Sequence, residues 1–283
     1  MLRICCRLLL CGPILANIDT FHVKRLKTPR FANKTIKKDR YLSMERREFF
    51  EEYNRIFSEN GLQAYTSDET VDKMYDMVSH MLEVNAAMNL TAITDWNEII
   101  LKHLADSCTV LPYIPQGARV CDVGCGGGFP SLPVAIARPD VRVVGIDSTG
   151  KKVNYINESA ALLGLNNLSA ICGRAEDLAN TELRESFDVA TARAVAALPV
   201  LCELCIPFVR VGGTFCAMKG TPNQVEMETA VSAYRTLGAP LDPSGIHHLT
   251  LSAESRTVLV ARKLQKTPPK YPRPYAKIKK SPL

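Results

Sequence analysis

A cluster of glycines closes a short apolar run in this chain, Val120-Cys-Asp-Val-Gly-Cys-Gly-Gly-Gly-Phe-Pro130. Glycine suits places where the backbone turns sharply or where a ligand presses on bare main chain. The chain around this cluster repeats one unit. Short β-branched runs at Arg119–Val123, Arg142–Asp147, Leu168–Cys172, Phe187–Ala192 and Gly213–Lys219 read as strands. Helical periodicity falls between them, near Leu132–Ala137, Lys151–Leu163, Leu198–Val209 and Asn223–Leu237. Repeated β-α predicts a parallel sheet covered on both faces, so the fold class is α/β. Gly245–Leu251 and Arg256–Arg262 are close in sequence and predict an antiparallel edge pair. Upstream, helices are expected over Met44–Asn60, after a capping box at Thr66-Ser-Asp-Glu69, and from about Trp96 to Tyr113.

Composition sets limits on partners. The net charge of +6 over 283 residues hides three regions. Residues 1–43 carry ten basic and two acidic side chains, residues 44–261 carry seventeen and twenty-seven, and residues 262–283 carry eight and none. An acidic body with basic ends points to phosphate attraction through the tail and local patches. No run of eighteen apolar residues appears, so no membrane span is expected. Seven of the ten cysteines lie beyond the leader, mostly in apolar runs, as in a reducing compartment. Cys202-Glu-Leu-Cys205 lacks a second ligand pair and reads as two small apolar side chains on a helix; no metal is expected. The organisation expected is a leader (1–43), an N-terminal helical layer (44–115), a sheet core (116–263) and a basic, proline-rich tail (264–283). The leader reads as an unstructured extension before a start at Met44, with a transit peptide as the alternative, so the expected location is cytoplasmic unless the leader is such a signal.

The glycine spacing selects among nucleotide cofactors. A nicotinamide fingerprint started at Gly124 would place Phe129 where its third glycine belongs, and the loop has no phosphate-loop lysine. The D-x-G-x-G-x-G form, Asp122 with Gly124, Gly126 and Gly128, resembles the first motif of class I S-adenosylmethionine-dependent methyltransferases. There the glycines pass under the methionine part of the cofactor and the acid organises the turn. Asp147 ends the second strand nineteen residues after Gly128. An acid at that place suits two ribose hydroxyls. Ala175 and Glu176, in Gly173-Arg-Ala-Glu-Asp177, stand at the third strand's exit, where backbone and carboxylate can meet an adenine edge.

Further segments resemble one family, the small-subunit (16S) ribosomal RNA guanine-N7 methyltransferases, also called glucose-inhibited division protein B. They are Asn89-Leu-Thr-Ala-Ile-Thr94, His103-Leu-Ala-Asp-Ser107, Gly126-Gly-Gly-Phe-Pro-Ser-Leu-Pro133, Gly173-Arg-Ala-Glu176, Thr191-Ala-Arg-Ala-Val195, Met218-Lys-Gly220, Lys270-Tyr-Pro-Arg273 and Ser281-Pro-Leu283. The resemblance spans about Met44 to Leu283; Pro274-Tyr-Ala-Lys277 replaces the family's usual glycine-proline pair. It implies a Rossmann-like, mostly parallel seven-stranded sheet with an added helical layer, and S-adenosyl-L-methionine as cofactor. It implies cofactor contacts at Gly124, Phe129, Ala175, Glu176 and Arg193, to which the glycine pattern adds Gly126 and Gly128, and the strand end adds Asp147. Arg193 and Asn89 are the expected positioning residues in catalysis. Lys219, Lys270 and Arg273 are the expected RNA contacts, and His103 and Asp106 are expected to brace the helical layer.

Guanine N7 has an in-plane lone pair and no proton, so this chemistry requires positioning rather than a general base. None of the Ser-His-Asp or Cys-His arrangements is evident. The expected partner is ribosomal RNA or the small subunit, with the enzyme a monomer. Two alternatives stay open: a small-molecule methyltransferase on the same fold, and a non-catalytic RNA-binding assembly protein.

Overall fold

The computed structural model describes residues 44–193, 196–222, 224–252 and 254–283. The expectations for the leader, and for Ala194-Val195 after Arg193, lie outside them. Among the described residues, seven strands form one sheet in the order β3-β2-β1-β4-β5-β7-β6. These are β1 (Arg119–Val123), β2 (Arg142–Asp147), β3 (Leu168–Cys172), β4 (Phe187–Arg193), β5 (Val209–Lys219), β6 (Ile246–Leu251) and β7 (Glu254–Arg262). The first five run parallel, and β7 and β6 close the edge antiparallel. This is the α/β architecture expected from the β-α repeat, a parallel sheet with an antiparallel edge pair.

Alternation along each strand divides the core in two. Val120, Val143, Val189 and Cys216 face one side, where they meet α1 (Arg46–Glu59), α2 (Asp68–Met88), α5 (Ser131–Ala137) and α6 (Gly150–Leu162). Cys121, Ala190, Phe215 and Leu259 face the other, under α8 (Leu198–Cys205) and α9 (Gln224–Thr236). Between β3 and β4 lies the short α7 (Ala175–Leu178). The helical layer shares the first core through Phe49, Tyr53, Met74, Val78 and Trp96, so it is no separate domain. Cys202 and Cys205 are buried on α8, where burial pushes both thiols up, as their reading as apolar fillers requires.

Two local details depart from expectation. The cap of α2 is Ser67, not Thr66: its Oγ accepts from Thr70 N at 3.4 Å, and Glu69 pairs with Lys73 instead of closing a capping box. The third helix runs through a widened turn, from α3 (Trp96–Ile99) through π-helical Ile100–Ala105 into α4 (Asp106–Cys108). The tail differs more. Tyr271 and Ile278 are buried in the second core, and α10 (Tyr275–Lys280) packs on α8. The tail was expected as a basic, proline-rich segment offering phosphate contacts, but apolar side chains among its prolines and lysines are turned inward.

Candidate active site

The glycine loop is hung on the end of β2. Gly124 N and Cys125 N both donate to Ile146 O, at 2.7 and 3.1 Å. Gly145 lets the loop tuck in, since a Cβ there would meet Cys125 Sγ at 2.9 Å. Asp122 is buried below the turn. Its Oδ2 accepts from Ser131 N at 3.2 Å and its Oδ1 from Thr191 Oγ1 at 3.3 Å, tying β1 to the start of α5 and to β4. Burial pushes its carboxyl up to about 6, and the Ser131 hydroxyl works against that rise.

A cavity of about 990 Å³ opens at the carboxyl ends of the parallel strands, the usual ligand crevice of such sheets. Its floor is the loop Gly124–Gly127 with Phe129. One end is lined by Asp147, Thr149, Lys152, Arg174, Ala175 and Glu176, and the other by His103, Asp106, Arg193, Met218, Lys219 and Arg256. Asp147 Oδ2 accepts from Gly126 N at 3.1 Å and Oδ1 from Thr149 N at 2.8 Å, which leaves acceptor lone pairs toward the cavity. At Gly126, φ is +53°, and an added Cβ would have no neighbour nearer than 3.7 Å; the glycine therefore keeps cavity space empty. An acid with acceptor capacity left for a diol, bare glycine backbone and a second acid, Glu176, at β3's exit fit an adenosine-type cofactor without phosphates.

Arg193 ends β4 and reaches the opposite end. Its NH1 donates to Asp106 Oδ2 at 2.9 Å and to Lys102 O at 3.0 Å. The guanidinium lies 5.1 Å from the centre of the Phe129 ring. His103 stacks on Phe129 with ring centres 4.5 Å apart, and its Nε2 lies 2.7 Å from Thr91 Oγ1. Burial, and then the Arg193 charge, lower His103 to about 4, so the imidazole is neutral at pH 7. Asp106 also accepts from Arg256 Nε at 3.0 Å, so one carboxylate holds two arginines at the rim. Arg193 keeps its Nε–H without an acceptor among the described residues.

The structure brings most of the expected residues together: Gly124, Gly126, Phe129, Asp147, Ala175, Glu176, Arg193 and Lys219 all line the cavity. It places others elsewhere. Gly128 does not line it; a Cβ there would sit 2.4 Å from Leu132 Cδ1, so this glycine serves the packing of α5, and Gly127 takes the cavity position. Asn89 is the left-handed C-cap of α2, exposed and off the cavity, and it is Leu90 and Ile93 beyond it that reach the wall. Lys219 is committed to Glu226 at 2.7 Å and to Ala196 O at 3.2 Å. Arg273, expected on an RNA surface, is instead bonded bidentately to fully buried Glu203 at 2.8 and 2.6 Å. Lys270 is exposed, with its ammonium 5.2 Å from the Tyr271 ring centre. Arg256 and Tyr275 were not foreseen as site residues. Both come from distant segments, and only the sheet order carries Arg256 to Asp106.

Known proteins resemble this chain in sequence. The sequence profile of the family described as rRNA small subunit methyltransferase G (GidB) matches residues 70–247. A protein of Lactobacillus delbrueckii subsp. bulgaricus, named ribosomal RNA small subunit methyltransferase G, is 44% identical over 208 residues, covering 72% of this chain and 87% of its own. Its namesake in Acetivibrio thermocellus is 41% identical over 226 residues, 79% of this chain and 93% of its own. That of Lactobacillus acidophilus is 37% identical over 238 residues, 82% and 98%.

Proposed function

This chain belongs to the rRNA small subunit methyltransferase G family, and on that premise we propose that it methylates N7 of a guanine in small-subunit ribosomal RNA. It is an S-adenosylmethionine-dependent methyltransferase. The observation that carries the reading is the glycine loop braced by Asp147 at one end of a cavity whose other end holds Arg193. When bound, S-adenosylmethionine supplies a methyl group on a positively charged sulfur. Asp147 would hold the ribose hydroxyls, Ala175 and Glu176 the adenine edge, and Gly124 and Gly126 the methionine backbone. Arg193 would turn its free Nε–H to the cofactor carboxylate or to the target base. Phe129, held by His103 and Arg193, would form the floor between cofactor and base.

Guanine N7 suits what the site contains. It presents a lone pair and no proton, so neither His103 nor a carboxylate is required as a base. The residues contribute alignment and exclusion of water. Positive charge arrives on the purine as it leaves sulfur, so the step moves charge between the two groups and creates none. Among the described residues, no helix is long and apolar enough to cross a membrane. From the substrate that the relatives' name states, we propose a cytoplasmic enzyme, a monomer acting on ribosomal RNA or the assembled small subunit.

The test is to map 7-methylguanosine in small-subunit ribosomal RNA from cells with and without the gene, and to repeat the transfer with purified protein. One guanine losing its methyl on deletion, and regaining it in vitro, is expected. Transfer to a metabolite and none to RNA would favour the small-molecule alternative. Failure to bind S-adenosylmethionine would favour a non-catalytic assembly protein.

A further inference from the structure

The basic tail sorts its charges by direction. Lys263 and Arg273 turn inward and are engaged. Lys263 is fully buried, with Nζ 2.9 Å from Glu185 Oε1 and 3.1 Å from Ile206 O. Arg273 is clamped to Glu203. From the body, Arg184 donates to Tyr271 O, Thr267 O and Pro268 O at 2.8, 2.9 and 3.3 Å, stitching the segment down. The outward ones are not engaged. Lys266, Lys277, Lys279 and Lys280 are exposed and have no acidic partner among the described residues, and the segment contains no acid of its own. Three of these lysines lie on α10, whose Ile278 is buried against the body. At the start of that helix Tyr275 lines the cavity while remaining about one-third exposed, at 36%. Tyr275 and Lys279 are four residues apart and share a helix face.

We propose that the C-terminal segment is a fixed RNA-docking strap: α10 holds the phosphate backbone of the substrate through Lys277, Lys279 and Lys280, and Tyr275 offers its ring to a base where that surface enters the cavity. This rests on the functional reading that the substrate is RNA. The body is acidic overall, so unpaired cations on a helix anchored beside the cavity have a clear electrostatic partner in a polyanion. Rigid anchoring matters because a surface already ordered loses little entropy on binding. Arg273 belongs to the anchor and not to the RNA surface.

The test uses the full chain with Lys277→Gln, Lys279→Gln and Lys280→Gln combined, and separately Tyr275→Ala and Tyr275→Phe. Binding of a small-subunit ribosomal RNA fragment is followed by fluorescence anisotropy across salt concentrations, alongside methyl transfer and S-adenosylmethionine calorimetry. The triple variant should lower the slope of log affinity against log salt by about two to three units. Tyr275→Ala should raise KM for RNA about fivefold or more, with Tyr275→Phe close to wild type and cofactor affinity unchanged in all. An unchanged salt slope in the triple variant overturns the docking surface. Loss of cofactor affinity with unchanged RNA KM in Tyr275→Ala overturns the role of that ring. If wild-type protein transfers no methyl to RNA, the functional reading fails instead, so the two failures are separable.

Discussion

Asp147 performs two tasks at once, and this decides how its loss should read out. Its carboxylate accepts from Gly126 N and Thr149 N, so it shapes the loop as well as facing the cavity. Asp147→Ala should therefore cost cofactor affinity twice over, through the missing acceptor and a slackened loop. Gly126→Val should cost it by filling the space that glycine leaves open and by straining a backbone at φ +53°. Isothermal calorimetry with S-adenosylmethionine should show at least tenfold weaker binding in each, and unchanged affinity in both would remove the site from this cavity. His103 gives a pH signature. Its folded pKa, about 4, lies below the usual ~6.5. The folded state thus prefers the neutral ring, and the stability so gained is complete above about pH 6.5 and erodes as pH falls toward 4. Asp122 acts oppositely: raised to about 6, it takes up its proton earlier when folded and recovers stability as pH falls through that value. Removing the imidazole in His103→Asn should leave the Asp122 contribution exposed. Denaturant unfolding between pH 6.5 and 4.5 should then show a shallower loss of stability than wild type. An unaltered slope would mean that the His103 pKa is not depressed by its burial.

Elements were more legible than their junctions. Strands β1 and β2 fall where β-branched runs between turn residues placed them, because a parallel strand covered on both faces must be largely apolar, and β3 falls at its expected place although it is an edge strand with only Leu168 buried. Asp147 was legible because a strand end fixes where its last side chain points. The glycine loop was legible as a ligand loop, but the division of labour inside it was not. Alternate glycines look equivalent in sequence, yet Gly126 faces open space while Gly128 faces Leu132 and Ile156. Which one meets a ligand depends on the helix packed behind the loop. This predicts a clean split. Gly128→Ala, with φ at +91° and Leu132 in the way, should lower stability by about 1–3 kcal/mol, measured by urea unfolding, and change S-adenosylmethionine affinity little once folded. The reverse pattern, weak binding at full stability, would return Gly128 to the cofactor contacts. The site residues from afar were illegible for a related reason. Arg256 reaches Asp106 across 150 positions of sequence, and nothing local to either residue encodes the meeting.

For the whole molecule, the tail shows where composition misleads. Counting charges treated every basic residue of the tail as available for phosphate, whereas its anchoring depends on pairing with particular acids on the body. Glu203 is 0% exposed on α8, and its carboxylate is satisfied by Arg273 through Nε, NH2 and the backbone N–H. A buried carboxylate deprived of its cation is far costlier than a buried pair replaced by apolar groups of similar size. Arg273→Met alone should therefore destabilise the protein by about 3–5 kcal/mol, although a residue on an RNA surface would have changed only RNA binding. Adding Glu203→Leu to that variant should restore most of the loss, since the stranded charge is then gone. Urea unfolding of wild type, the single and the double variant measures both quantities. A single variant within about 1 kcal/mol of wild type, or a double no better than the single, would show that the clamp does not hold the strap to the body.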